Sequence, residues 1–226
     1  NTKLKIIDAV VDKIVPPQPP TSLNVIVETY GSIILDVSTG LQPLRKSEII
    51  SYKNYENEFY KKLWLLNGLH LQLAYYGLAN GHTFIHEVIA SKDGREFAKA
   101  SVNSLAEAYS LLSQSNENLD EFTNTIIDRF ALPEIKDEVA RIARNPEIKF
   151  SKDERFEYPL RLLISHDKNI DTFRTILDII TSGNYLQVEG FSNFKEDVLE
   201  KGKSNIYNDF WELENYSKSY IERLGS

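Results

Sequence analysis

Between Tyr55 and Ala79 the apolar residues recur at helical spacing. Phe59, Leu63, Leu66, Leu69 through Leu73 and Tyr76 form the repeat, and Asn80-Gly81 supplies a stop. This segment commits the chain to helix from Ser51 onward. Further helices are predicted at about 82–91, 95–113, 119–130, 136–144, 153–165, 170–181, 192–201 and 205–223. Leu119, Phe122, Ile126 and Phe130 make one stripe, and Ile170, Phe173, Leu177 and Ile180 another, with Gly183 beyond the second. Residues 1–47 read differently. They hold five of the eight prolines and short β-branched runs: Val10-Val11, Ile14-Val15, Asn24 to Glu28 and Ile33 to Val37. The expected architecture is mainly α, a helical domain over 48–226 with a small β-rich portion over 1–47. So few short strands cannot bury both faces alone, so they complete a sheet begun elsewhere or are covered by the helices.

Composition narrows the function classes. Of 226 residues, 42% are apolar and 26% charged, the balance of a soluble globular chain. No run reaches the roughly 18 apolar residues of a membrane span, and the opening residues are too polar and too soon broken by proline for a signal peptide. A net charge of −7 carries no nucleic-acid footprint. Cysteine is absent, which excludes disulfides and thiolate chemistry and suits a cytoplasmic protein. Methionine is absent too, even at the first position, as in a piece of a longer polypeptide. No two of the ten glycines are separated by a single residue, so neither a G-x-G-x-x-G turn nor a phosphate loop exists in this chain.

Lys62-Leu63-Trp64-Leu65-Leu66-Asn67-Gly68-Leu69-His70 is the segment richest in chemistry. On an ideal α-helix, positions five and eight residues on stand at about 140° and 80° from the first. Lys62, Asn67 and His70 therefore share one side with Leu66, Leu69 and Leu73. Desolvation among leucines lowers a lysine pKa, Asn can donate to a developing alkoxide, and His can donate to or orient a hydroxyl. Gly68 within the helix costs about 1 kcal/mol against Ala, which points to a close approach to the backbone. A plainer reading stands beside this one: a snorkelling lysine, a capped asparagine and a core histidine. Lys61 reads as the ordinary solvated lysine of the pair.

The K-x4-N-x2-H pattern, the flank Leu65 to His70 and Ala74-Tyr75-Tyr76-Gly77 followed by Gly81 resemble the signature of the mannitol dehydrogenase family of polyol-specific long-chain dehydrogenases. Val11-Asp12-Lys13-Ile14-Val15-Pro16 is similar to that family's V-D-R-I-V-P element, with Lys for Arg, and Val27-Glu28-Thr29-Tyr30 to its V-E-P-F element, with Thr for Pro. Asp137 to Pro146 resembles a later helix and turn; Lys149-Phe150-Ser151, Arg155 and Pro159 resemble its R-K-L-S-x-x-D-R-x-x-x-P stretch. The resemblance runs over about 6–182.

It implies the end of a nucleotide-binding domain followed by the helical substrate domain. An upstream Rossmann domain of the same polypeptide would carry the glycine-rich turn, most of the NAD site and a second catalytic asparagine. It makes Lys62 the general base, Asn67 an alkoxide partner and His70 a hydrogen-bond partner of the reacting or adjacent hydroxyl, without a metal. To act as a base, a lysine must fall from about 10.4 to near 7–8. Arg144, Lys149 and Arg155 gather around Pro146 and are candidate substrate-binding residues for the far end of a sugar phosphate. The alternative is surface pairing with Glu147, Asp153 and Glu154. His82 and His86 beside Glu87 have chelating spacing but no third ligand, and His166 suits a helix end.

Three readings follow. The first is the C-terminal part of an NAD-dependent polyol phosphate dehydrogenase interconverting mannitol 1-phosphate and fructose 6-phosphate. The second, drawn from Asn67 to His70 and Phe84 to Glu87, is a mannitol 2-dehydrogenase or hexuronate (fructuronate or tagaturonate) reductase. Ile148, where the phosphate branch usually has Arg, favours the second. The third is a non-catalytic helical module. The expected partner is a small sugar alcohol, sugar phosphate or sugar acid, with no nucleic acid and no membrane.

Overall fold

A computed structural model describes residues 7–15, 27–36, 50–200, 202 and 205–212. The chain divides into two compact units, Asn1–Leu63 and Trp64–Ser226.

The first unit is built on three short strands. β1 (Ala9–Asp12) pairs antiparallel with β2 (Ser32–Asp36), placing Val10 opposite Ile34. β2 pairs in parallel with β3 (Ile50–Lys53), placing Ile34 opposite Ser51. Strand alternation buries Val10 and Asp12 and exposes Ala9 and Val11. The backbone N–H of Ile14 donates to Glu28 Oε1 at 2.5 Å, tying the end of β1 to the V-E-x-Y segment. α1 (Tyr55–Lys61) begins at Asn54, whose side chain accepts from the Asn57 N–H at 3.0 Å, an ordinary N-cap. The expectation of helix from Ser51 fails here, because Ile50 to Lys53 joins a parallel ladder whose partner is distant in sequence. Residues 24–26 of the expected third strand lie outside the described residues, as do the proline cluster and 213–226.

The long helix of 55–79 is interrupted. Lys62–Gly68 is π-helical, and α2 (Leu69–Ala79) resumes the ordinary helix. α2 is the axis of the second unit. Leu69, Leu71, Leu73, Ala74 and Tyr75 are all buried, as expected of a helix apolar on every side. It packs against α3 (Ile85–Ala90), α4 (Lys92–Ser113), α6 (Val139–Ala143) and α9 (Asp171–Ser182). A Cβ on Gly77 would stand 2.8 Å from Val88 and 2.9 Å from Val139, so glycine is what lets α3 and α6 approach. α4 starts earlier than its apolar pattern suggests, because Ser91 caps it by accepting from the Gly94 N–H at 3.1 Å.

α5 (Asp120–Phe130) and α9 bury the two predicted stripes, with Phe122 half-buried. The predicted helix over 136–144 is shorter: Lys136 is left-handed at φ 47°, and only Val139–Ala143 is helical. α7 (Pro146–Lys149) is a single turn, and α8 (Glu157–Ser165) starts after a left-handed Asp153 at φ 64°. α10 (Phe191–Phe194) runs into a π turn over Lys195–Leu199. A second π turn, Ile206–Phe210, replaces the start of the expected terminal helix. Phe150, Phe156, Phe173, Phe194 and Trp211 form one aromatic cluster, and the Trp211 indole N–H donates to the Phe150 carbonyl at 2.6 Å. Among the described residues no helix is long and apolar enough to cross a membrane.

Candidate active site

The π turn changes the phase of the lysine motif. The lysine and asparagine of the motif lie on the i→i+5 turn Lys62–Gly68, so the α-helical phase read from the sequence does not hold across it. Lys62 is half-buried, and its Nζ donates to the Val11 carbonyl of β1 at 2.5 Å. Lys61 is the more buried of the two, at 5% exposure, contrary to the expectation of a solvated side chain. The end of α1 turns it inward, where a long aliphatic stem is covered.

Within the second unit, an open cleft of about 480 Å³ is lined by Asn67, His70, Leu71, Arg141, Ile142, Arg144, Lys149 and Arg155. The cleft thus gathers two of the three motif residues with all three cations singled out around Pro146. It adds Arg141, which sequence reasoning missed. A signal was available: Arg141 stands three residues before Arg144, on the same side of a helix.

Two helices and a turn build this cleft. Asn67 and His70 come from the last π residues and the first turn of α2. Arg141 and Arg144 come from α6 and its end; Lys149 closes α7, with Arg155 in the following loop. Asn145 takes a left-handed φ of 54°, which turns the chain sharply between Arg144 and Lys149. The Lys149 Nζ donates to the Ile142 carbonyl at 2.7 Å. Burial pushes its pKa down to about 8, and the charges of Arg155, Arg144 and Arg141 push the same way. Arg155 pairs with the neighbouring Glu154 at 3.0 Å, the surface pairing that the sequence left as an alternative. Among the described residues Arg144 meets no carboxylate at ion-pair distance. No acidic side chain is among the residues lining the cleft.

His70 is held from two sides. Its ring stacks on Phe130 with centroids 4.4 Å apart, and its Nε2 lies 3.0 Å from Asp137 Oδ2. Asp137 is buried and also accepts a short hydrogen bond from Arg141. Burial pushes the Asp137 carboxyl up, but the bonds and charges of His70 and Arg141 outweigh it and hold it below the usual value.

The remaining histidines have local places. Glu87 accepts from the backbone N–H groups of Thr83 and Phe84 at 2.8 and 3.0 Å, and is thereby a helix cap. His86 stacks on Phe84 at 5.5 Å, and His166 ends α8. Among the described residues no group of three or more His, Asp or Glu side chains could hold a metal ion. Nor do they offer a glycine-rich turn opening a helix, so a dinucleotide pyrophosphate finds no cradle among them. The donors of the cleft fit a smaller, anionic, polar ligand instead.

Residues 53–188 match the mannitol dehydrogenase C-terminal domain. The chain is 38% identical over 150 residues to a mannitol-1-phosphate 5-dehydrogenase of Clostridium acetobutylicum, covering 65% of this chain and 36% of that protein. It is 32% identical over 205 residues to that of Mycoplasmopsis pulmonis, covering 89% and 54%. The matches span between about a third and a little over half of these relatives' lengths. The fold is that of a mannitol 2-dehydrogenase of Pseudomonas fluorescens, solved as a ternary complex with NAD and D-mannitol. The TM-score is 0.76 at 16% identity, over 96% of this chain and 50% of that one.

Proposed function

The chain belongs to the mannitol dehydrogenase family through its C-terminal domain, and from that premise we propose that it is the substrate-binding part of a polyol phosphate dehydrogenase. The reaction is the interconversion of mannitol 1-phosphate and fructose 6-phosphate. The observation that carries this reading is the cleft in which Asn67 and His70 face four cations, Arg141, Arg144, Lys149 and Arg155.

A secondary alcohol gives up a proton from oxygen and a hydride from carbon. A nicotinamide, held by the part of the enzyme that contains the glycine-rich turn, supplies the hydride acceptor. Lys62 takes the hydroxyl proton in oxidation and returns it in reduction. Its bond to the Val11 carbonyl fixes where Nζ sits. Asn67 donates to the oxygen as negative charge grows there, an interaction stronger in the transition state than in the ground state. His70 binds the reacting or adjacent hydroxyl. Arg144, Lys149 and Arg155, with Arg141, hold the phosphate at the other end, where charge-assisted bonds from Arg and Lys are the strong ones.

The relatives named mannitol-1-phosphate 5-dehydrogenase support the phosphate over a neutral polyol. The deciding experiment is a turnover screen of the full-length protein with NAD and NADP against mannitol 1-phosphate, fructose 6-phosphate, mannitol, fructuronate and tagaturonate. The expected result is a kcat/KM at least tenfold higher for the phosphorylated pair. Preference for a uronate would assign the basic cleft to a carboxylate, and preference for free mannitol would make the basic cluster structural.

A further inference from the structure

A lysine is a nucleophile only once it has lost its proton, and near neutral pH most lysines have not. Lys152 and Lys168 show the ordinary case. Their Nζ atoms pair with Glu212 at 2.5 Å and with Glu107 at 2.8 Å, and such pairing favours the ammonium. Lys149 is placed the opposite way. It lines the cleft with Arg141, Arg144 and Arg155, and its Nζ donates to a neutral group, the Ile142 carbonyl, at 2.7 Å. The nearby Glu154 carboxylate acts in favour of the ammonium, but it is engaged by the Arg155 guanidinium at 3.0 Å. His70 is the remaining titratable side chain of the cleft lining.

Two consequences meet at this side chain. Burial and three guanidinium groups bring the Lys149 pKa to about 8, so at pH 8 about half of it is free amine, against less than about 1% of a solvated lysine. A lower pKa also makes a weaker nucleophile. On the thiol scale about 0.4–0.5 of a decade is lost per unit, which is roughly tenfold here. The gain in free amine, about 10²-fold, exceeds that loss. The same guanidinium groups form an anion site, so the electrophile this lysine meets most often is one that carries a phosphate. In an acyl phosphate the phosphate is also the leaving group, and donors fixed on it stabilise the charge it gains as it departs.

We propose that Lys149 is a site of covalent acylation by small acyl phosphates, which the cleft binds through Arg141, Arg144 and Arg155, and that this modification weakens the hold of the cleft on anions. The lysine Nζ attacks the acyl carbon, a C–N bond forms, and the bond from that carbon to the phosphate oxygen breaks. Inorganic phosphate leaves with the electron pair, and the proton of the attacking amine passes to solvent. The product is a neutral amide, so the cleft loses one of its four cationic side chains. The effect on turnover rests on the function proposed above; the modification does not.

Acetyl phosphate is the probe. The full-length protein is incubated with it at about pH 8, and acetylated peptides are followed over time by mass spectrometry. Lys149 should be acetylated at least about tenfold faster than Lys152 or Lys168, the margin left by the two opposing effects. Its rate should level off between about pH 8 and 9, while the rates of the other two keep rising. Inorganic phosphate should slow Lys149 and leave the other two unchanged. Arg144→Ala should lower the rate with acetyl phosphate several-fold more than the rate with p-nitrophenyl acetate, a neutral donor that needs no anion site. Arg144 is exposed, so this variant opens no core. As Lys149 fills with acetyl groups, kcat/KM for mannitol 1-phosphate should fall by about tenfold or more, as for loss of a charged hydrogen bond.

Acetylation of Lys149 no faster than that of Lys152 and Lys168 overturns the proposal, and this measurement needs no variant to fold. A Lys149 rate indifferent to inorganic phosphate overturns it too, as does a rate that falls equally with both donors in Arg144→Ala. Failure of the functional reading shows elsewhere, as a full-length enzyme that prefers free mannitol, and leaves the acetylation pattern standing.

Discussion

In the first unit three short strands leave Val11, Val15 and Val27 between 41% and 49% exposed, while in the second Phe156, Phe173, Phe191 and Trp211 are at most 1% exposed. Three short strands with one apolar face are the minimum that can order itself, whereas a bundle around an all-apolar helix has a far larger core. Yet the proposed base, Lys62, belongs to the smaller unit, and the hydroxyl and anion partners to the larger. The comparison teaches that the residues holding this fold together and the residue proposed to move the proton are separable. Substitutions should therefore separate stability from turnover.

The largest effect should come from the aromatic cluster. Phe156 touches Phe150, Phe173 and Trp211 at centroid distances of 4.9, 5.1 and 6.3 Å. Phe156→Ala should cost about 3–5 kcal/mol in denaturant unfolding, from lost transfer energy plus the cavity left behind. Val11→Ala in the first unit should stay within about 0.5 kcal/mol, as for exposed sites. Equal costs would break the comparison.

Next comes Lys62→Ala, which should lower turnover of the full-length protein by at least about 10²-fold, the usual contribution of a general acid–base group. Its melting temperature should barely move. Lys61→Ala should do the reverse, because that lysine is 95% covered and its loss tells on packing. If Lys61→Ala abolishes turnover while Lys62→Ala does not, the proton-transfer role belongs to the neighbouring lysine.

Much of the site was legible because its signals are local. Lys62, Asn67 and His70 lie within nine residues, and Arg144, Lys149 and Arg155 within twelve. The cleft joins Asn67 and His70 to all three of those cations. The stripes at 119–130 and 170–181 were equally local and are buried as read. What escaped depends on distant partners or on backbone phase. β3 is defined by a parallel ladder to β2, which no window around Ile50 reveals. A run as leucine-rich as Leu63 to Leu66 satisfies α and π periods alike, so the π turn left no trace in the apolar pattern. Asp137 could not be tied to His70, because the contact spans 67 residues and is made only when α6 folds against α2.

The anion side offers a smaller and more selective effect. Arg144→Ala should lower kcat/KM for mannitol 1-phosphate by about 1.5–3 kcal/mol, the range for a hydrogen bond to a charged group. Activity on free mannitol should change little. Equal losses on both substrates would mean that the second unit uses Arg144 for its fold.

The smallest effect, and the one that best separates binding from stability, is the pH dependence set by Lys149. Its pKa is held down from 10.5 to about 8 by burial and by three nearby guanidinium groups. A phosphate dianion in the cleft favours the ammonium, so above pH 8 binding must first protonate this lysine. KM for the sugar phosphate should rise about three- to tenfold between pH 7 and pH 9, up to the 1.36 kcal/mol that one pH unit can contribute. Folding runs in the opposite direction. Between about 8 and 10.5 the unfolded chain keeps the proton that the folded chain has lost, so the contribution of Lys149 to stability rises with pH across that window. Weaker binding with undiminished stability is thus the signature, measured by KM and denaturant midpoints on the same samples. Lys149→Arg should flatten the rise in KM, because a guanidinium stays charged throughout. A rise that survives this substitution would place the titrating group elsewhere in the cleft.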